Sequence, residues 1–409
     1  QNIQENSFYQ FYSNVLDRLD QQFPELRENN TAMLKVLHAF SDKPPLVQAL
    51  IDREILRGVI LKKSSSEMQS PVADQIRGML NEADVLFGRS MTTYGHSIEL
   101  IRRNLGRGSV LIGDHGGYFS PILPKLSGSL GEQLVGVTEH TLNGEERFLL
   151  SNFHRIPYLS TARYDLKERS DREICTAIAK EVIRACLNSG KDLCSSNSND
   201  VILLIGYGMM GLNTANQLKA LGCKAEIVIS DVREKRMVYA VQDGFPIIRD
   251  IREFLPAVDI VLLATNMIKG RNPVLTPEDF DLMKPGALIS SMTSMDDEID
   301  FTTLKARKVL SKVGNEQDSV VYRTQNGNDI HFMLDGRPAN AALADGGSSV
   351  NMTLVEAAGI AGAYVLAHCH YQGKPAPKQL PDEISEMICQ EWLNIFANLK
   401  LNRSHSPSM

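Results

Sequence analysis

The chain has 409 residues, more than one compact core holds and fewer than three ordinary domains need, so two domains are expected. Hydrophobic residues make up 43% and charged residues 22%, which excludes disorder and fibrous repeats as the main character of the chain. A net charge of −6 argues against a broad nucleic-acid or anionic-membrane footprint, and no segment reads as the ~18 apolar residues of a membrane helix.

In chain order, residues 1–60 read as helical, with apolar side chains at helical spacing in NVLDRLDQQFPEL and PPLVQALIDREILRGVIL and a Pro44–Pro45 helix start. SVLIGD (109–114) is a short strand ending in a turn, HGG. Residues 172–188 form an amphipathic helix that runs into the polar linker NSGKDLCSSNSND (188–200). Beyond it, VILLIG, AEIVIS, DIVLLAT and GALISS alternate with helical segments, as in a buried parallel sheet. A last helix is expected at 381–400, followed by a polar tail. The polar first residues are unlike a secretory signal, and six scattered cysteines without metal spacing suit reduced thiols of a cytoplasmic protein.

Residues 201–222 read as strand, glycine turn and helix. Gly206, Gly208 and Gly211 form GxGxxG, with Met210 inside the turn. The first glycine permits the tight turn, the second lets backbone approach a pyrophosphate, and the third lets helix pack on strand. The next strand ends in Asp231, 25 residues after Gly206, where a carboxylate meets the adenosine ribose and favours NAD over NADP. Arg233 leaves an opening for the phosphorylated form. Thr265 and Asn266 follow the third strand, at the edge where cofactor contacts collect. A turn that merely packs helix on strand is the bland alternative.

Several segments together resemble the S-adenosylhomocysteine hydrolase family across nearly the whole chain: VLHAFSDKPPLVQAL (36–50), VLIGDHGGYF (110–119), GVTEHTLNG (136–144), LIGYGMMG (204–211), GALISSMTSMDDEID (286–300) and DGRPANAALADGGSSVNMT (335–353). The resemblance implies an α/β chain in which a doubly wound, parallel-sheet Rossmann NAD domain (189–350) is inserted in a discontinuous α/β substrate domain (1–188 and 351–409). It implies tightly held NAD, with Asn340 as a further contact, and transient oxidation of a ribose 3′-hydroxyl. It also implies a homo-oligomer, dimer or tetramer, although the tail LNRSHSPSM lacks the family's lysine–tyrosine closure of a neighbouring NAD site.

The departures bear on chemistry. By the resemblance, His38 keeps the family's early histidine, His115 replaces the catalytic aspartate after a matching Asp114, and His140 replaces the second glutamate after a matching Glu139. Ala162 and Leu166 fall where the family has its catalytic lysine and aspartate, and Lys167 where an asparagine follows, though a short slip would bring in Arg163, Asp165 or Lys167. Ser294 and Gly347 replace two further histidines. Ordinary S-adenosylhomocysteine hydrolysis is the conservative expectation, and these departures speak against it, since alanine cannot take a proton.

Three readings stand for His38, His115 and His140, with Asp114 and Glu139 beside them. They are general acid–base groups, or ligands of a bound Zn²⁺ or Fe²⁺, or polar residues that hydrogen-bond a ligand or backbone. His368 and His370 read as caps of a helix end, Trp392 and Phe396 as packing, and LKERSDRE (166–173) as a solvated helix start. The residues therefore suggest an NAD-dependent enzyme acting on a nucleoside-like small molecule, or a catalytically silent NAD-binding homologue that regulates a partner.

Overall fold

A computed structural model of the chain describes residues 2–40, 42–62, 71–81, 84–87, 93–105, 108–151, 156–265, 274–292, 298–299, 304, 309–315, 319–334 and 349–397. The chain divides into two compact units, one of residues 1–168 with 348–409 and the other of residues 169–347.

The first unit is built on β1 (Thr31–Leu37), β2 (Leu56–Leu61), β3 (Val85–Phe87), β4 (Ser109–Asp114), β5 (Leu134–Glu139) and β6 (Tyr158–Ser160). Every pair is parallel and the order is β3-β2-β1-β4-β5-β6. Strands covered on both faces must be apolar throughout, and β1, β4 and β5 are buried almost end to end. Helix α1 (Asn2–Gln22) places Phe8, Phe11, Tyr12, Val15, Leu16 and Leu19 on one buried stripe at i, i+3 and i+4 spacing. That stripe packs against α2 (Lys43–Asp52) and α7 (Ser349–Tyr371). After β5 comes α3 (Leu142–Leu150), whose start is fixed by the Thr141 hydroxyl accepting the Gly144 N–H. The chain order runs outward from β1 in both directions, so the sheet reverses between β1 and β4. The carboxyl ends beside such a reversal are the usual place for ligands in sheets of this kind.

Two expectations are corrected here. TAMLKVL and LRGVIL, in the segment expected to be helical, are strands β1 and β2; only Lys43–Asp52 of the second stretch is helix. Burial on both faces removes the alternation that would have marked β1, and the apolar spacing of REILRGVIL fits either state. A membrane-length apolar helix does exist, Val350–Tyr371, but 83% of its most apolar window is covered by the rest of the chain, as in a core helix. Its hydropathy comes from valine, isoleucine, leucine and alanine, most of them packed inside the unit.

The second unit has β7 (Val201–Ile205), β8 (Glu226–Ser230), β9 (Ile260–Leu263), β10 (Leu288–Ser291), β11 (Ser311–Asn315), β12 (Ser319–Arg323) and β13 (Asp329–Met333). Its order is β11-β12-β13-β10-β9-β7-β8, parallel from β8 to β13, with β12 and β11 added antiparallel at the far edge. β8 lies on one side of β7 and β9 on the other, so this sheet also reverses, beside the glycine turn. Helix α4 (Asp165–Asn188) buries Ile178, Ala179, Val182, Ala185 and Cys186 against the core under β7. The architecture is α/β with a doubly wound sheet, as the sequence suggests.

Candidate functional site

The glycine turn has the geometry its spacing requires. Gly206 sits at φ +100°, and a Cβ there would lie 2.5 Å from the Ala264 carbonyl oxygen. A Cβ on Gly211 would lie 1.9 Å from the Gly206 carbonyl oxygen, which is the close helix-on-strand contact that only glycine allows. Gly208 precedes helix α5 (Met209–Ala220), whose free N–H groups face the turn. Met210 lies in the first turn of α5, where its carbonyl accepts from the Cys175 thiol at 3.7 Å. Asp231 follows β8 and its Oδ2 accepts the Tyr207 N–H at 2.7 Å, tying the second strand's acid to the turn. These residues fit a dinucleotide: Gly206 and Gly211 make close approaches that no side chain would allow, and an acid stands where the ribose would come.

The Thr265 N–H donates to Glu298 Oε1 at 2.6 Å, and Glu298 also receives the Met292 N–H and the Ser291 hydroxyl. This fully buried glutamate fastens the carboxyl ends of β9 and β10 and was missed in the sequence, where it reads as one more acid in MDDEID. Asn266, Asn340, Ser294 and Gly347 lie outside the described residues, as does Asp296.

In the first unit, the carboxyl ends of β1, β4 and β5 are followed by His38, His115 and His140. The His38 and His115 rings meet edge-on at 4.8 Å between centroids, and those of His115 and His140 lie tilted at 5.8 Å. His38 stacks on Phe40 at 5.0 Å. The structure thus brings together the three imidazoles that the sequence singled out, at the reversal between β1 and β4 and beside it.

Two acids make the loops that carry His115 and His140. Asp114 accepts the N–H groups of His115, Tyr118 and Phe119 at 2.7–3.0 Å. Glu139 accepts those of Gly116 and Gly117 at 2.9 Å, and both the N–H and hydroxyl of Thr141 at 2.7 Å. A Cβ on Gly144 would lie 2.1 Å from the Glu139 carboxyl carbon, so the TLNG segment must keep its glycine to admit that side chain. Asp114 and Glu139 are paired in register on adjacent strands and both fully buried. Burial first and Glu139's charge second push Asp114 up to about 7, against the three N–H groups.

The imidazoles are electrostatically crowded. Burial, then Lys35, pulls His140 down to about 3. Burial, then Lys62, His38 and His140, holds His115 well below its ordinary value, and its buried Nδ1 has no hydrogen-bond partner. His140 sits between Thr161 Oγ1 at 3.3 Å from Nδ1 and the Lys35 ammonium at 3.3 Å from Nε2. Beyond Lys35 lies a buried network absent from the sequence reading. Lys35 pairs with Glu356 at 2.9 Å, Glu356 with Lys43 at 3.2 Å, and Lys43 with Asp42. Burial alone would raise Glu356, but Lys35 and Lys43 hold it well below the carboxylate range; burial likewise opposes Lys43, which Asp42 and Glu356 keep raised. The available signal was a lysine inside TAMLKVL and a glutamate inside an otherwise apolar helix, two charges that must find each other if both are buried.

The metal reading does not take shape: among the described residues no three His, Cys, Asp or Glu side chains are placed to hold an ion. One nitrogen of His140 instead faces an ammonium. Ala162 is buried, and Leu166 packs against the core. Arg163 pairs with Glu145 at 3.1 Å, while the charge of Lys167 reaches His140. His96 is exposed and bonds Thr93; His154 lies outside the described residues. His368, expected to cap carbonyls at the end of α7, instead bonds the Glu25 carboxylate at 2.8 Å, and Trp392 packs on Phe396 at 5.5 Å as expected.

Residues 178–346 match the family model described as the NAD-binding domain of S-adenosyl-L-homocysteine hydrolase. The adenosylhomocysteinase of Thermotoga maritima is 26% identical over 324 residues, covering 75% of this chain and 76% of that protein. That of Saccharolobus solfataricus is 26% identical over 326 residues, 78% of this chain and 73% of the relative. Among solved structures, the D-mandelate dehydrogenase of Rhodotorula graminis aligns at 15% identity and TM-score 0.40, over 79% of this chain and 98% of that one, a likeness too loose to argue from. The dinucleotide that the glycine turn holds is NAD.

Proposed function

We propose that this chain, a divergent member of the adenosylhomocysteinase family, is an NAD-dependent enzyme that transiently oxidises a nucleoside-like substrate. The observation that carries the proposal is the row of imidazoles at the carboxyl edge of the first unit's sheet, centred on His115, whose buried Nδ1 awaits a partner. Bound NAD supplies a hydride acceptor. The chain's part is the proton: neutral His115 accepts it from a sugar hydroxyl, and His38 orients the substrate beside it. Lys62, whose charge reaches His115, offsets the negative charge that develops on oxygen. Asp114 and Glu139 act through the loops they fold, and His140, held by Thr161 and Lys35, sets the position of the row. By kinship the substrate is an adenosyl thioether or a close relative, and the protein a cytoplasmic dimer or tetramer.

A second reading, a silent NAD-binding homologue that regulates a partner, draws support from buried Ala162 and from two carboxylates already saturated by backbone N–H groups. Incubating the NAD-loaded chain with S-adenosylhomocysteine and with adenosine separates the two. Near-ultraviolet absorbance of reduced nicotinamide that is lost in His115→Asn supports the enzyme. Adenosine binding with no such absorbance supports the silent homologue, and no binding of either compound ends the nucleoside proposal.

A further inference from the structure

The adenosine-ribose end of the dinucleotide site departs from what an acid at the end of the second strand implies by itself. A bare carboxylate there would accept two ribose hydroxyls and repel a 2′-phosphate. Asp231 is not bare. Its side chain is only 2% exposed, and its oxygens take three hydrogen bonds: the Tyr207 N–H at 2.7 Å, the Arg233 N–H at 2.8 Å and Arg236 Nη1 at 3.3 Å. Arg236 belongs to the first turn of helix α6 (Glu234–Gln242) and remains a third exposed. Its guanidinium lies over the glycine turn, since a Cβ on Gly208 would be 3.4 Å from Cζ and from both terminal nitrogens. A lysine or a shorter side chain would not lay a planar fork across that backbone.

We propose that Arg236 is the specificity-determining residue of this site, and that it lets the chain accept a 2′-phosphorylated dinucleotide as well as NAD. The guanidinium neutralises the carboxylate that would reject the phosphate. It also offers the phosphate oxygens a fork of N–H donors, the geometry in which arginine binds phosphate best. Other charges nearby are engaged elsewhere: Glu234 with Arg249, Asp243 with the Tyr207 hydroxyl, and Lys235 over the Tyr239 ring. With NAD bound, Arg236 must release Asp231 for the ribose hydroxyls; with the phosphorylated form it keeps its place and gains a second anion. Sequence alone offers only Asp231 and Arg233, and Arg233 gives this cluster its backbone N–H.

The inference rests on the glycine turn being the dinucleotide site, and calorimetric titration of the purified chain with NADP and with NAD separates the two claims. The expected result is a dissociation constant for NADP within about tenfold of that for NAD. Arg236→Leu is expected to shift the ratio toward NAD by about tenfold or more, because the phosphate loses its donors while the ribose gains a free carboxylate. NAD binding by that variant also shows that it is folded. NADP weaker than NAD by more than about tenfold in the parent chain overturns the inference, as does an unchanged ratio in the variant. Failure of both nucleotides to bind overturns the dinucleotide site itself, whereas NAD binding with NADP rejected leaves that site standing.

Discussion

Because His140 is buried against the Lys35 ammonium, with 3.3 Å between Nε2 and Nζ, its imidazole stays neutral in the folded chain, and His115 does the same beside Lys62. The pH dependence has a definite sign. His140 titrates at about 3 when folded and about 6.5 when unfolded, so the unfolded chain takes up the proton first. Its contribution is therefore fully present above pH ~6.5 and is lost progressively as pH falls toward 3. Histidine side-chain NMR is expected to show both rings neutral at pH 6, and a ring that protonates near its ordinary value would contradict this environment. The imidazole row could be singled out in the sequence because the resemblance puts three histidines at positions expected to be acidic or already histidine. Their electrostatics could not, since Lys35 and Glu356 act on His140 from distant parts of the chain.

At the scale of elements, α7 is an apolar helix that carries Glu356 and Gly359 one turn apart on the face toward His140. A Cβ on Gly359 would lie 1.7 Å from His140 Cε1, so the helix can approach β5 only with glycine there. Gly359→Ala is expected to cost about 1–3 kcal/mol by overpacking and to displace the His140 ring from Thr161 and Lys35. Denaturant unfolding measures the first effect and the NMR shifts of His140 the second; an alanine variant with parent stability and unmoved His140 shifts would contradict the packing. The strands of the second unit were legible because VILLI, EIVIS and IVLL are uniform apolar runs bounded by turns. β1 was not, because Lys35 interrupts a run whose partner charge lies on α7, and no local rule reveals such a pair.

In the whole molecule, both sheets reverse direction, and each candidate site lies at the carboxyl ends beside its reversal: β1 and β4 in the first unit, β7 and β9 in the second. The glycine turn could be read from one short continuous segment, since its strand, its three glycines and its helix all fall within residues 201–222; the imidazole row depended on three separate loops converging. This difference makes a prediction about where ligands act. NAD at about 100 times its dissociation constant should stabilise the native chain by roughly 2.7 kcal/mol, because it binds only the folded turn. Hydrogen exchange should then slow in Val201–Ile205, Met209–Ala220 and Glu226–Ser230, the two strands and the helix around that turn. Adenosine should slow exchange instead around His38, His115 and His140, the last two in loops held by Asp114 and Glu139. Protection of the second unit by NAD without any response of these loops to adenosine would keep the cofactor site and remove the nucleoside from the first unit, since a ligand cannot order loops it does not touch.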